Sequence, residues 1–171
     1  MVRRLMGMAS WGEIEASAPE LAARARAAFD AHKHKVLATL RRDGSPRISG
    51  IEASFTDGEL WLGMMPSSRK ALDLRRDPRL ALHSATVDPS DDPTAWPGDA
   101  KLTGRAVEVD DPAMLERLGA GDQAETEPGG GAHLFRVEVV ELVHTRVGDP
   151  ADHLVIDVWQ EGGGLRRLRR R

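Results

Sequence analysis

The chain predicts an α+β protein: a small antiparallel β-barrel of six or seven strands, with short helices at its periphery. Two observations carry this expectation. Asp43-Gly44 and Asp57-Gly58 each stand between two extended runs, a strong hairpin signal, so three strands should follow one another as a meander. Near the other end, "HLFRVEVVELVHTRV" sets Phe135, Val137 and Val139 against Arg136 and Glu138, the alternation of a half-buried strand.

The elements follow in order. "SAPELAARARAAFDAHK" predicts a helix, with Ser17 and Glu20 as a capping box, Pro19 in the first turn, and Leu21, Ala25, Ala28 and Phe29 on one face. Strands are expected at 35–40, 46–55 and 59–65. A helix from Ser68 to Arg76 is stopped by Asp77-Pro78, and another strand covers 79–85. Residues 86–99 hold three prolines and four aspartates and predict a loop. A strand at 100–110 carries Gly104 as a candidate bulge. "DPAMLERLG" predicts a short helix, with Asp111 near its cap and Pro112 at its first position. "AGDQAETEPGGGA" predicts a flexible loop, and 133–147 and 153–160 the last strong strands.

At 171 residues the chain suits one domain, 1–171, with residues 1–16 as an N-terminal extension and 164–171 as a basic tail. A net charge of -3 argues against a nucleic-acid binder. The absence of cysteine removes disulfides, thiolate nucleophiles and Cys-based zinc sites, and fits a reducing cytoplasm. No run approaches a membrane span. Arg3 and Arg4 before "LMGMASWG" are too weak and too soon followed by Glu13 and Glu15 to make a signal peptide, and Met8 is a candidate natural start. Three Phe, four Trp and no Tyr leave a lean aromatic core, which favours a homodimer burying further apolar area.

One stretch breaks a local rule. In "MMPSSRKALDLRRDPR" two good N-cap residues, Ser67 and Ser68, are followed by Arg69 and Lys70, where the helix dipole favours acids. Free backbone N–H groups, two hydroxyls and two cations together make a phosphate cradle, to which Arg47 of the neighbouring hairpin strand can add a guanidinium. The competing account is an exposed helix with solvated basic residues.

The segment "GSPRISGIEASFTDGELWLGMMPSSRKALDLRRDPRLAL" resembles the core of the pyridoxamine 5'-phosphate oxidase-like, FMN-binding split barrels. The ending "HLVIDVWQEGGGLRRLRR" is similar to the closing strand of small actinobacterial members. The resemblance implies a split β-barrel, FMN or the deazaflavin F420 as cofactor, and a homodimer with the cofactor at the interface. It implies phosphate binding by Arg47, Ser68, Arg69 and Lys70, and ring contact by the backbone of Ile48 and Ser49. Gly63 and Met64 would line the cofactor, Asp99 falls near a ring-contacting Gln of the oxidases, and Trp159 matches an aromatic near the partner's cofactor. No catalytic side chain is assigned, because the cofactor carries hydride chemistry itself.

Departures narrow the substrate. The oxidases carry a Lys where this chain has Glu52, and their C-terminal substrate signature is replaced by "GGGLRRLRRR", so a vitamin B6 phosphate is not expected. His32 and His34 flank Lys33 without an identifiable third ligand, so no metal is assigned. His83, His133, His144 and His153 are scattered over predicted strands and read as surface or core residues. The tail, with five arginines among its last six residues, reads as a solvated strand packing Leu165 and Leu168, or as an anion grip. The expected function is a flavin- or deazaflavin-dependent oxidoreductase passing hydride to a small unsaturated organic substrate. The alternatives are a non-catalytic flavin- or haem-binding protein of the same fold, used in storage or sensing, or a haem-degrading relative.

Overall fold

A computed structural model describes residues 8–118 and 131–171. Along the chain come α1 (Trp11–Ser17), α2 (Pro19–Asp30), β1 (His34–Leu40), β2 (Pro46–Thr56), β3 (Glu59–Met64), α3 (Arg69–Arg76) and β4 (Arg79–His83). After a loop come β5 (Asp99–Glu108), α4 (Pro112–Arg117), β6 (His133–Val147), β7 (Leu154–Gln160) and β8 (Gly164–Arg170). The sheet order is β3-β2-β1-β4-β5-β6-β7-β8, and pairing of β3 with β6 closes the first six strands into a barrel. β7 and β8 extend the sheet beyond β6, so the antiparallel barrel expected from the sequence gains two strands outside its wall.

Both Asp-Gly pairs make the hairpins expected of them. Asp57 and Gly58 have φ of 55° and 73° between the paired residues Thr56 and Glu59. Two left-handed central residues match the twist of the flanking strands. Inward positions alternate as the pleat demands: Ile51, Ala53 and Phe55 of β2, Leu60, Leu62 and Met64 of β3, and Phe135, Val137 and Val139 of β6 are buried. The segment 120–132, expected as a loop, lies largely outside the described residues.

The N-terminal helices differ from expectation. The capping box is made by Ser10 and Glu13 at the start of α1, not by Ser17 and Glu20. Ser17 ends α1, where its hydroxyl donates to the Ile14 carbonyl and accepts from Trp159 Nε1 at 3.0 Å. α2 therefore starts from Ala18, with Pro19 at its first position and no side-chain cap. Within residues 1–16, set apart in the sequence as an extension, Ala9, Trp11 and Ile14 are buried in the core. Ala9 pairs with Val139, and the buried Trp11 ring meets Phe55 edge-on at 4.5 Å.

The tail forms β8, paired with β7 along its whole length and exposed throughout. Leu165 and Leu168 remain 47% and 39% exposed. Arg167 is anchored by the buried carboxylate of Asp157, which also receives Arg146 Nη1 at 2.7 Å.

The β5–β6 register shifts between Thr103 and Gly104, the bulge expected at that glycine. A Cβ on Gly104 would run into the Glu138 carbonyl oxygen of the paired strand. Gly104→Ala should therefore destabilise the protein by about 1–3 kcal/mol, the cost of forcing strands apart in a packed wall. Urea denaturation should show a lower midpoint with the slope unchanged.

Candidate functional site

The barrel wall divides at one place. β2 pairs with β1 over Pro46–Glu52, but with β3 only over Ala53–Thr56. β3, which pairs with β6 on its other edge from Leu60 onward, carries on past Leu62 with Gly63 and Met64 opposite Leu134 and His133 of β6 alone. The two strands thus diverge, and the edge of β2 before Ala53 has no strand partner among the described residues. A cleft of about 340 Å³ opens in the gap. Gly50 and Glu52 of β2 line one side, Gly63 and Met64 of β3 the other, and Ser68 and Lys70 its end.

That end is the start of α3. Ser68 is the N-cap, yet its hydroxyl makes no capping bond, and Oγ is buried with no hydrogen-bond partner. A buried, unpaired hydroxyl costs about 1–3 kcal/mol, so it marks a place where a ligand atom fits. Lys70 Nζ reaches across the cleft and donates to the Gly50 carbonyl at 2.7 Å. Burial pushes its ammonium below the ordinary lysine range. Arg69 is exposed and makes no ion pair among the described residues. A hydroxyl, two cations and the free N–H groups of a helix start form an anion-binding constellation.

Arg47, expected from the sequence to join this group, does not line the cleft and is tied to α3. Its Nε donates to Asp73 Oδ2 at 2.6 Å, and the same buried carboxylate accepts from Thr39 Oγ1 at 2.9 Å and Arg76 Nη2 at 3.0 Å. Burial alone would raise the Asp73 carboxyl. The hydrogen bonds from Arg47, Arg76 and Thr39 outweigh it and hold the group below the usual carboxylate range. Asp73 thus aims Arg47 and fastens α3 to β1 and β2.

Of the residues expected from the sequence, the cleft gathers Gly63, Met64, Ser68 and Lys70. Ile48 is 74% exposed on the part of β2 that pairs with β1 alone, with Ser49 half-buried beside it. Ser67 precedes the cap in a left-handed conformation, φ 56°. Asp99 begins β5 opposite Thr145, away from the cleft lining. Trp159 is buried in the core against Ser17.

Three supporting residues carried no local signal. His133 is buried; its Nε2 accepts from the Ser67 N–H at 3.2 Å, and its Nδ1 faces Glu108 Oε1 at 2.9 Å. Arg75 holds Glu108 through two bonds of 2.8 Å. At the cleft rim Glu52 pairs with Lys33 at 3.1 Å and lies 3.7 Å from His34. Among the described residues no group of three or more His, Cys, Asp or Glu is placed to hold a metal.

An open seam between barrel strands, ended by an anion-binding helix start, defines the class of this protein as a split barrel. The family model of pyridoxamine 5'-phosphate oxidase matches residues 21–146, and the chain belongs to that family. The fold is similar to that of a pyridoxamine 5'-phosphate oxidase-related, FMN-binding protein from Nostoc punctiforme, at 13% identity over 92% of this chain and 96% of that one, TM-score 0.58. PhzG from Burkholderia lata, solved with tetrahydrophenazine-1-carboxylic acid, is similar at 15% identity over 92% and 91% of the two chains, TM-score 0.59. A Listeria innocua protein described as a putative pyridoxamine 5'-phosphate oxidase matches at 17% identity over 70% and 93%, TM-score 0.54. These likenesses are of fold. No curated protein sequence matches the chain.

Asp73 gives the site a pH signature. A carboxyl whose folded-state pKa is depressed stabilises the fold above the ordinary carboxylate range, and the contribution is lost as pH falls through the folded value. Asp73→Asn should cost about 3 kcal/mol at neutral pH, by leaving Arg47 and Arg76 without their shared partner. The gap between variant and parent should narrow as acid protonates Asp73. Denaturant titrations across the acid range check both statements.

Proposed function

We propose that the chain is an oxidoreductase that holds FMN or F420 between β2 and β3 and serves hydride transfer to a small unsaturated organic substrate. The observation that carries this reading is the buried, unpartnered Ser68 hydroxyl beside Lys70 at the end of an open strand seam. The residues present fit a phosphate-bearing, planar group. Ser68, Arg69 and Lys70, with Arg47 steadied by Asp73, would hold the phosphate. The edge of β2 at Ile48 and Ser49 that faces away from β1, and the walls at Gly63 and Met64, would meet the ring. Such a cofactor supplies the redox chemistry when bound. The side chains have the tasks of binding it, orienting it and keeping water from one face. The Glu52 carboxylate at the rim disfavours a phosphorylated substrate, and so argues against a vitamin B6 phosphate.

The same reading includes a homodimer. Val36 and Ile48 are 42% and 74% exposed. The ladder that pairs Val36 with Gly50 places them beside the cleft. Farther along the same β1–β2 ladder an apolar groove of about 970 Å³ runs past Ala38, Leu40, Pro46, Ala81 and Val140. A second copy seated there would cover the apolar face and complete the cleft's outer wall.

Titration with FMN and F420 side by side tests the site. Arg69→Ala with Lys70→Ala should weaken binding about ten- to a hundredfold, the loss of charge-assisted phosphate contacts. Unchanged affinity for both cofactors would overturn the assignment. A bound, reducible cofactor that no organic acceptor reoxidises would leave a non-catalytic binder. Sedimentation of Ile48→Asp should show monomer where the parent is dimeric, together with weakened cofactor binding.

A further inference from the structure

A chain of hydrogen bonds leaves α3, crosses β5 and β6, and returns to the loop in front of α3. Arg75 grips Glu108, Glu108 Oε1 faces His133 Nδ1, and His133 Nε2 faces the Ser67 N–H. An ionised carboxylate only accepts, so the ring proton belongs on Nδ1. A backbone N–H only donates, so Nε2 must present its lone pair. The two contacts together require a neutral imidazole in a single tautomer. Arg75 foremost holds the Glu108 carboxyl below its ordinary range, which keeps this acceptor ionised.

What the ring holds is an unfavourable backbone. Residues Met65 to Ser68 form a turn, closed by Ser68 N–H to the Met65 carbonyl at 3.3 Å. Pro66 is its second residue and left-handed Ser67 its third. That third place ordinarily goes to glycine or asparagine. With serine there, a fixed partner for the Ser67 N–H keeps the turn from relaxing and sets where the Ser68 hydroxyl and the start of α3 stand.

We propose that His133 is a positioning residue: as a neutral Nδ1–H imidazole fixed by Glu108, it latches the Ser67 turn that holds Ser68 and Lys70 in place for an anionic cofactor group, and protonation of the ring opens the latch. The proposal rests on reading the cleft as a phosphate site. A second proton would sit on Nε2 and point at the hydrogen of Ser67, turning an attraction into a clash. The charged groups facing the ring are Glu108 from β5 and, through it, Arg75 from α3. β3 sets uncharged Met64 opposite His133, and the Phe135 ring lies 6.4 Å away.

The test combines NMR of the 15N-labelled protein with FMN titration of the parent, His133→Phe and His133→Gln, on both sides of the range in which an imidazole titrates. The His133 ring should carry its proton on Nδ1, and the Ser67 amide resonance should move as the ring titrates. On the alkaline side His133→Phe should bind FMN about tenfold more weakly than the parent, the loss read from one positioning hydrogen bond. His133→Gln, which retains an acceptor, should come close to the parent. On acidification the parent should lose affinity beyond the change seen in His133→Phe, which reports the titration of the FMN phosphate alone. A proton on Nε2, a Ser67 amide indifferent to the ring, or the same pH profile in parent and His133→Phe would each overturn the latch. If none of the proteins binds FMN or, titrated in the same way, F420, the phosphate-site reading fails, while the ring and Ser67 resonances still decide the latch. If His133→Phe does not fold, the comparison of parent with His133→Gln decides in the same way.

Discussion

The structure turns on the point at which β3 loses one of its two partners. A strand in a closed barrel ordinarily pairs on both edges over its whole length, because an unpaired backbone group away from water is costly. Here β3 leaves β2 after Leu62 and completes its ladder on β6 alone. β2 runs on beside β1 with one edge open. Closure is therefore reached with a seam left in the wall. The short α3, which follows β3 directly, lands with its start at the end of that seam. The cleft is a consequence of where two ladders stop, rather than of a loop folded over the surface.

Asp73 then makes the seam rigid. A carboxylate buried among Thr39, Arg47 and Arg76 links β1, β2 and α3 through one side chain. Such a group is expensive to bury and is stabilising only because its acceptor sites are filled. The arrangement also explains why two arginines can stand near Lys70 without repelling the helix from the barrel: their charge is shared with a fixed acid. Lys70, with no such partner, stays partly desolvated against the Gly50 carbonyl.

What the sequence could disclose follows from how local each signal is. The two Asp-Gly hairpins, the stop at Asp77-Pro78, the Gly104 bulge and the buried faces of β2, β3 and β6 are written in neighbouring residues, and all could be read there. Ser67–Lys70 could be singled out because bases in a first helical turn contradict the dipole. The start of α1 was legible in principle from Ser10 and Glu13. Ser17 and Glu20 present the same pattern before a longer apolar face and draw the reading to themselves. Asp73, Glu108 and His133 gave no sign, since their meaning lies in partners distant along the chain: Arg47 lies 26 residues from Asp73, and Ser67 lies 66 from His133. β8 was ambiguous because five arginines describe a solvated tail as well as an edge strand. Only its complete pairing with β7 and the Arg167–Asp157 contact settle that it is part of the sheet.

Unfavourable terms collect at one end of the cleft. A left-handed serine costs about 1–2 kcal/mol, and a buried hydroxyl without a partner about 1–3 kcal/mol. Lys70 is partly desolvated, and two further cations, Arg69 and Arg47, stand close by in sequence or space. Each could be relieved by a small local change, such as a glycine at 67 or an alanine at 68, if the fold alone were at stake. The same features lose their cost together when a multivalent anion accepts from the hydroxyl, the helix N–H groups and the cations at once. A site held in that state before its ligand arrives has less to reorganise on binding, which raises affinity without adding contacts. Arg75, Glu108 and His133 belong to this logic, since a strained turn keeps its shape only while something fixed holds it there.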